Sequence, residues 1–309
     1  MARYITVDGG TTNTRLSLVI DGRIVNTKKY NVGARASIDG KAPLMEALRC
    51  GVSELLRESA LTEGDVECII ASGMITSEHG LLELPHLNAP AGLDELHDGM
   101  VRAEFPEITN IPFSFIRGVR CGDEPLSTDM MRGEETELMG IIGENPAGVY
   151  LLPGSHAKVV RVDDAGKITS FVTTLTGEMI HALSTETILK SSLNLNSPLC
   201  REALLEGFNA KTLYGLNAAL FKVRTMKNLF GRSDSEVYSF FLGAVLSDEI
   251  AAVSLMKPER IVIGGKRQLR EAEAILLRAL TECEVVCLSD DEVNSSTAAG
   301  AVKIYEHRC

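Results

Sequence analysis

Asp8-Gly9-Gly10-Thr11-Thr12-Asn13 follows a short β-type run, Tyr4 to Val7, and apolar character resumes at Leu16-Ser17-Leu18-Val19-Ile20. A glycine-rich turn between two strands lets backbone N–H groups approach phosphate oxygens and sets hydroxyls beside them. It also places one carboxylate, Asp8, where it can hold a hydrated Mg²⁺. The plain alternative is a polar turn with a capping Asp. Neither G-x-x-x-x-G-K-[ST] nor a G-x-G-x-x-G opening a helix occurs, which excludes the P-loop and dinucleotide-binding folds.

The same theme returns downstream. Val149-Tyr150-Leu151-Leu152 runs into Pro153-Gly154-Ser155-His156-Ala157-Lys158 and then Val159-Val160-Arg161-Val162. An offset of 144 residues places Gly10 on Gly154, Thr11 on Ser155, and Gly22-Arg23-Ile24 on Gly166-Lys167-Ile168. Shared pattern and shared spacing favour an internal duplication, with a second turn gripping the same phosphates.

The elements that must carry these turns read as layered α/β structure. Helical spacing runs through Leu44, Ala47, Leu48, Val52, Leu55 and Leu56, and Val66 to Ala71 reads as a buried strand. Residues 76–110, with Pro85, Pro90 and Pro106, read as a loop-rich insertion before a strand over Ile111 to Ile116. Long helical stretches are expected at 200–230 and 235–256, then a strand at Arg260 to Ile263, a helix at 267–281, a strand at Glu284 to Leu288 and a last helix near 296–307. These elements predict two α/β lobes, 1–140 and 141–295, with the C-terminal helix 296–309 returning to either lobe and a ligand in the cleft between them.

Composition limits the partners. The 309 residues carry 31 Lys plus Arg against 42 Asp plus Glu, a net charge of −11, and no basic run forms, which argues against nucleic acid. An anionic ligand must then be held by aimed backbone N–H groups, a few cations or a metal. Asp8 comes too early for a secretory signal and no run of about 18 apolar residues occurs, so a cytoplasmic protein with no membrane partner is expected. Seven scattered Cys with no C-x-x-C pair fit buried thiols rather than disulfides or zinc.

Asp8-Gly9-Gly10-Thr11-Thr12-Asn13-Thr14-Arg15 resembles the first phosphate motif of the sugar kinase, heat-shock chaperone and actin superfamily. Met131-Arg132-Gly133-Glu134-Glu135-Thr136-Glu137-Leu138, Pro153-Gly154-Ser155-His156-Ala157-Lys158 and Thr176-Gly177-Glu178-Met179 resemble its 2-keto-3-deoxygalactonate kinase family. The resemblance runs in order from about residue 3 to about 305. It implies two actin-like (ribonuclease H-like) lobes with an interlobe nucleotide cleft, and phosphorylation of the terminal 6-hydroxyl of 2-dehydro-3-deoxy-D-galactonate by ATP with Mg²⁺. The second turn departs from the first, with Leu152 where the first has Asp8. A small sugar acid and ATP are the expected partners, and a homodimer is compatible with this reading. The alternatives are an exopolyphosphatase-like phosphohydrolase or a nucleotide-switched ATPase of the same fold.

Within that frame each candidate has a bland alternative. Glu134 and Glu135 follow Gly133 into a helix, where one can deprotonate the acceptor hydroxyl or both can be ordinary first-turn acids. The related polyphosphate-cleaving enzymes hold a catalytic Glu in a similar Gly-Glu-Glu block, and Glu134 ranks ahead of Glu135. Lys158 and Arg15 can meet charge on the γ-phosphoryl or be solvated strand charges, and Lys158 is preferred. His156 can contact phosphate or hold its own turn. Arg132 can clamp the substrate carboxylate or pair with a neighbouring Glu, and Thr176 and Glu178 complete the substrate candidates. Gly264-Gly265 can let adenosine lie against backbone or form a strand-end turn.

Overall fold

The N-terminal alternation builds an antiparallel meander of β1 (Arg3–Gly9), β2 (Thr14–Ile20) and β3 (Arg23–Tyr30) in a computed structural model that describes residues 2–38 and 40–308. Next come α1 (Ala42–Glu58), β4 (Cys68–Gly73), β5 (Leu87–Asn88), α2 (Leu93–Asp98), β6 (Val101–Phe105) and β7 (Thr109–Phe115). Two short strands, β8 (Val119–Cys121) and β9 (Asp129–Met131), lead into α3 (Glu134–Ile141). The principal sheet has the order β3-β2-β1-β4-β7-β6, with β1, β4 and β7 parallel, while β5, β8 and β9 form a separate small sheet. The expected spacing on α1 is its buried face: Leu44, Leu48, Val52 and Leu55 pack on Ile5, Val7, Leu16 and Ile69.

The second meander is β10 (Gly148–Leu152), β11 (Ala157–Val162) and β12 (Ile168–Thr174), followed by α4 (Thr176–Thr185), α5 (Arg201–Tyr214), α6 (Leu216–Phe230), α7 (Asp234–Val245) and α8 (Ser247–Met256). Then come β13 (Arg260–Ile263), α9 (Arg267–Leu280), β14 (Glu284–Cys287) and α10 (Asp290–Tyr305). The order β12-β11-β10-β13-β14 repeats the first sheet: a meander whose first strand pairs in parallel with a later strand. Its core joins Val149, Leu151 and Ile261 of the sheet to Leu204, Phe240, Phe241 and Leu276 of the helices.

The chain divides into two compact units. One comprises Met1–Pro146, Val162–Ser170 and Asp291–Cys309, the other Ala147–Arg161 and Phe171–Asp290. In the first unit α10 lies against α3 so closely that a Cβ on Gly140 would stand 1.9 Å from Ser296 O.

Several boundaries differ from the periodicity. The insertion contains α2 and the edge strand β6, whose V-R-A-E-F alternation pairs antiparallel with β7. The two long helical stretches are each broken once, at Gly215 in positive-φ backbone and at Leu246. The last helix starts at Asp290 rather than 296, because Asp290-Asp291-Glu292 suits a helix N-terminus. No single helix among the described residues is long and apolar enough to cross a membrane. Six cysteines are free thiols, and Cys309 lies outside the described residues.

Candidate active site

In the first unit the β1–β2 turn is closed by Gly10 N–H donating to Asn13 O at 2.8 Å. A segment that the sequence reading did not single out buttresses it: Ala34 N–H donates to Gly10 O at 3.1 Å and Arg35 N–H to Thr11 O at 2.9 Å. Thr14 is buried and donates to Val32 O, whereas Thr11 and Thr12 remain exposed; Thr12 Oγ1 accepts from Asn13 Nδ2 at 2.8 Å and keeps its own hydrogen to donate.

Behind the turn three chain segments meet at glycines. A Cβ on Gly73, which has φ +84°, would stand 2.4 Å from Gly9 O, and one on Gly133, φ +117°, would stand 3.2 Å from Gly73 Cα. The ends of β1 and β4 and the start of α3 are thereby packed backbone to backbone, which fixes Asp8 relative to Glu134. Gly73→Ala is expected to cost about 1–3 kcal/mol from its backbone conformation alone, with the steric clash in addition. Chemical denaturation would measure that loss, and unchanged stability together with unchanged activity would contradict this packing.

Asp8 stands opposite Arg15 on β2 and Ser72 on β4. Burial raises its pKa and Glu134 adds to the rise, while Arg15 opposes both. At the start of α3 the two adjacent carboxylates part. Glu134 is half-buried and its Oε2 accepts the Arg132 N–H at 3.0 Å. Glu135 is 0 % exposed, and its oxygens accept the Gly133 N–H at 2.9 and 2.8 Å and the Thr136 hydroxyl at 3.1 Å. Burial, helped by Glu134, pushes Glu135 up to about 8.

Glu137, which the sequence reading passed over, belongs to the group formed by Asp8 and Glu134. Burial first, then Glu134 and Asp8, raise it to about 7, and Arg15 again opposes. Its signal was the i, i+3 spacing from Glu134, which puts both on one helix face. No cluster of three or more His, Cys, Asp or Glu suited to cage a metal occurs among the described residues.

Arg132 is committed locally. Its Nη1 donates to Thr76 O and Thr76 Oγ1 at 2.7 and 2.8 Å, and its Nη2 to Leu84 O at 3.2 Å and His86 Nδ1 at 3.3 Å. It ties the 76–86 segment to α3.

The second unit assembles its own group around Pro153–His156. A Cβ on Gly177 would stand 2.2 Å from Gly154 O, and Glu178 N–H donates to Ser155 O at 3.2 Å, so the start of α4 lies directly on the turn. The Glu178 carboxylate meets His156 Nε2 at 3.0 Å, an exposed pair. Thr176 is buried and shares a hydrogen bond with Thr174 at 2.8 Å, and Thr174 donates to Glu249 Oε1 at 2.6 Å. Lys158, on β11 beside the turn, is 3 % exposed. Gly264 N–H donates to Leu151 O at 2.9 Å, and Gly265 abuts Pro153, which brings this glycine pair to the same turn. The turn itself thus offers Gly154 and Ser155, with the Glu178 carboxylate on its His156, whereas the first turn has Asp8 and α3.

Residues 8–304 match the model of the family described as 2-keto-3-deoxy-galactonokinase. The chain is 28% identical over 259 residues to the 2-dehydro-3-deoxygalactonokinase of Escherichia coli (strain K12), covering 82% of this chain and 80% of that one. It is also 28% identical over 257 residues to a probable 2-dehydro-3-deoxygalactonokinase of Rhizobium meliloti (strain 1021), covering 80% and 79%. Among solved structures, a Sinorhizobium meliloti protein provisionally named as a 2-dehydro-3-deoxygalactonokinase superimposes with a TM-score of 0.79 at 21% identity, over 98% of both chains. The activator of 2-hydroxyisocaproyl-CoA dehydratase from Clostridium difficile, solved with bound ADPNP, superimposes with a TM-score of 0.53 at 11% identity, over 99% and 95%.

Proposed function

The chain belongs to the 2-keto-3-deoxy-galactonokinase family, and from that premise we propose how its residues divide the work of phosphoryl transfer. Its fold is the actin-like, ribonuclease H-like α/β fold. It is a sugar-acid kinase that uses ATP to phosphorylate 2-dehydro-3-deoxygalactonate, and a phosphohydrolase or switch role is not favoured. In our reading the acceptor is the terminal 6-hydroxyl.

The observation that carries the assignment of roles is the mutual electrostatic coupling of Asp8, Glu134 and Glu137, with Asp8 at the end of β1 opposite Arg15, which opposes the rise of Asp8 and Glu137. In this reading Gly9, Gly10, Thr11, Thr12 and Asn13 hold phosphate oxygens through N–H and hydroxyl donors. Within the second unit Gly154 and Ser155, placed by Thr176 and Gly177, offer donors of the same kind for phosphate oxygens, and Gly264-Gly265 lies against adenosine. Asp8, supported by Glu137, is the side chain to hold a hydrated Mg²⁺, whose chemistry there is to neutralise charge on the phosphates. Arg15 favours the ionised forms of Asp8 and Glu137 and offsets part of their negative charge.

Glu134 takes the proton of the acceptor hydroxyl as that oxygen bonds to the γ-phosphorus. The bond from phosphorus to the bridging oxygen breaks, and ADP leaves with its electron pair. Glu135 caps α3 and does not reach the reacting atoms. Lys158 and His156 brace the second turn, and Arg132 and Glu178 hold the segments that border the substrate.

The test is ADP release with a panel of 2-keto-3-deoxy sugar acids and plain hexoses. Expected is ADP equal to sugar-acid phosphate formed, at least 10²-fold above release without acceptor, and abolished by EDTA. ADP release that is indifferent to the acceptor would indicate a hydrolase.

A further inference from the structure

The small sheet of β5, β8 and β9 gathers positive charge that no carboxylate among the described residues meets in an ion pair. His86 immediately precedes β5, Arg117 precedes β8, Arg120 lies within β8, and Arg132 follows β9. The pairings Asn88 with Arg120 and Val119 with Met131 bring the four into one place. The His86 ring lies against Gly118, with its Cδ2 2.8 Å from where a Cβ would be.

The local hydrogen bonds leave specific donors free. Arg117 donates through Nε to Pro85 O at 2.7 Å and through Nη2 to His86 O at 3.3 Å. Arg120 donates through Nη2 to Gly122 O at 3.2 Å, and its buried Nε has no partner. His86 Nδ1 accepts from Arg132, so the ring hydrogen is on Nε2. Burial and the three guanidinium groups hold His86 down at about 4, so it is a neutral donor at pH 7. None of the three arginines forms an ion pair with a carboxylate among the described residues. Glu83 and Glu135 act on Arg132 only at a distance, and Glu135, raised to about 8, is largely uncharged at pH 7.

Three half-buried guanidinium groups with no ion-pair partner among the described residues, in a chain of net charge −11, make a local field suited to one anion. The Nη1 groups of Arg117 and Arg120 are left to meet it. We propose that Arg117 and Arg120, with His86 Nε2–H, form the seat of the C1 carboxylate of the sugar acid, and that Arg132 braces this seat against α3. The assignment rests on the kinase reading above. An ATP phosphate is the other anion that could bind here. The carboxylate is favoured because the phosphate turns belong to the duplicated meanders, while among the described residues the β5-β8-β9 sheet has no counterpart in the second unit. Arg132 is also one residue from Gly133 and two from Glu134. A substrate charged at C1 and phosphorylated at its far end suits a charge seat tied to, but separate from, the proposed base.

The experiment compares 2-keto-3-deoxygalactonate with the matching neutral 3-deoxyhex-2-ulose, in which CH₂OH replaces the carboxylate. The intact enzyme is expected to prefer the acid by about 10²–10⁴ in kcat/KM, because the neutral analogue leaves buried donors unpaired. Arg120→Met should raise the KM for the acid about 10- to 100-fold, leave kcat and the KM for ATP within about threefold, and erase most of the preference. Arg117→Met should act alike, and Arg120→Lys should restore part of the loss. Equal use of acid and neutral analogue by the wild type overturns the proposal, and so does a rise confined to the KM for ATP. If the wild type releases no ADP with any sugar acid, the kinase reading itself fails. Calorimetric binding of the acid then decides the carboxylate seat: tighter binding to wild type than to Arg120→Met upholds it, and equal binding overturns it.

Discussion

Asp8→Asn is expected to fold as the wild type does and to lose on the order of 10²–10³ in kcat, the usual cost of removing one group that stabilises developing charge. Asn matches Asp in size and suits a turn, so β1 and its pairing with Arg15 and Ser72 should persist. What disappears is a negative charge beside Glu134 and Glu137, in a place where burial already works against ionisation. The Mg²⁺ concentration needed for half-maximal turnover should rise about tenfold, and it should be measured with kcat and the thermal midpoint in one series. A normal kcat at saturating Mg²⁺ would remove Asp8 from the reaction. Loss of folding would instead assign the carboxylate to structure.

The second large effect separates two neighbouring carboxylates. Glu134→Gln should lower kcat about 10²–10⁴-fold with ATP affinity retained, because the half-exposed carboxylate is the proposed proton acceptor. Glu135→Gln should keep kcat within a few fold, since a Gln side-chain oxygen can still accept the Gly133 N–H. Its signature lies in stability against pH. The Glu135 pKa is raised from 4.5 to about 8 on folding, so the folded state holds this proton more tightly than the unfolded chain. That contribution is full below about 4.5 and is lost as pH rises towards about 8. The variant should therefore show a flatter fall in stability over that window, with the remaining slope owed in part to Glu137, raised to about 7. Urea denaturation at pH 5, 7 and 9 reads this directly. A catalytic collapse in Glu135→Gln with Glu134→Gln unaffected would reverse the two roles.

Much of the fold was legible because its signals are local and periodic. The buried face of α1 follows from the spacing of Leu44, Leu48, Val52 and Leu55, and the two meanders follow from short alternating runs split by glycine turns. The repeat at 144 residues anticipated two sheets of one strand order. Strand β6 was equally periodic but was masked by the prolines and loops around it, and a helix break at Leu246 leaves no mark in composition.

At the candidate site, residue types along the chain singled out the turns at Gly10 and Gly154 and Asp8 as candidates for phosphate chemistry, and the family resemblance added the Arg132–Glu135 block. They could not say which of two adjacent carboxylates turns inward. That choice depends on Gly133, held at φ +117° against Gly73, which sets the phase of α3 and sends Glu135 into the core, with Glu137 beside Asp8 and Glu134. The support of the first turn by Gly33–Arg35, the lock of Gly177 on Gly154, and the meeting of His86 with Arg117, Arg120 and Arg132 join segments roughly 20 to 45 residues apart. Spacing along a chain encodes which face of a helix or strand a residue occupies. Which distant backbone then fills the space against that face is decided by packing, and here packing buries Glu135 on the Gly133 N–H, leaves Glu134 half-exposed and ties Arg132 to the 76–86 segment.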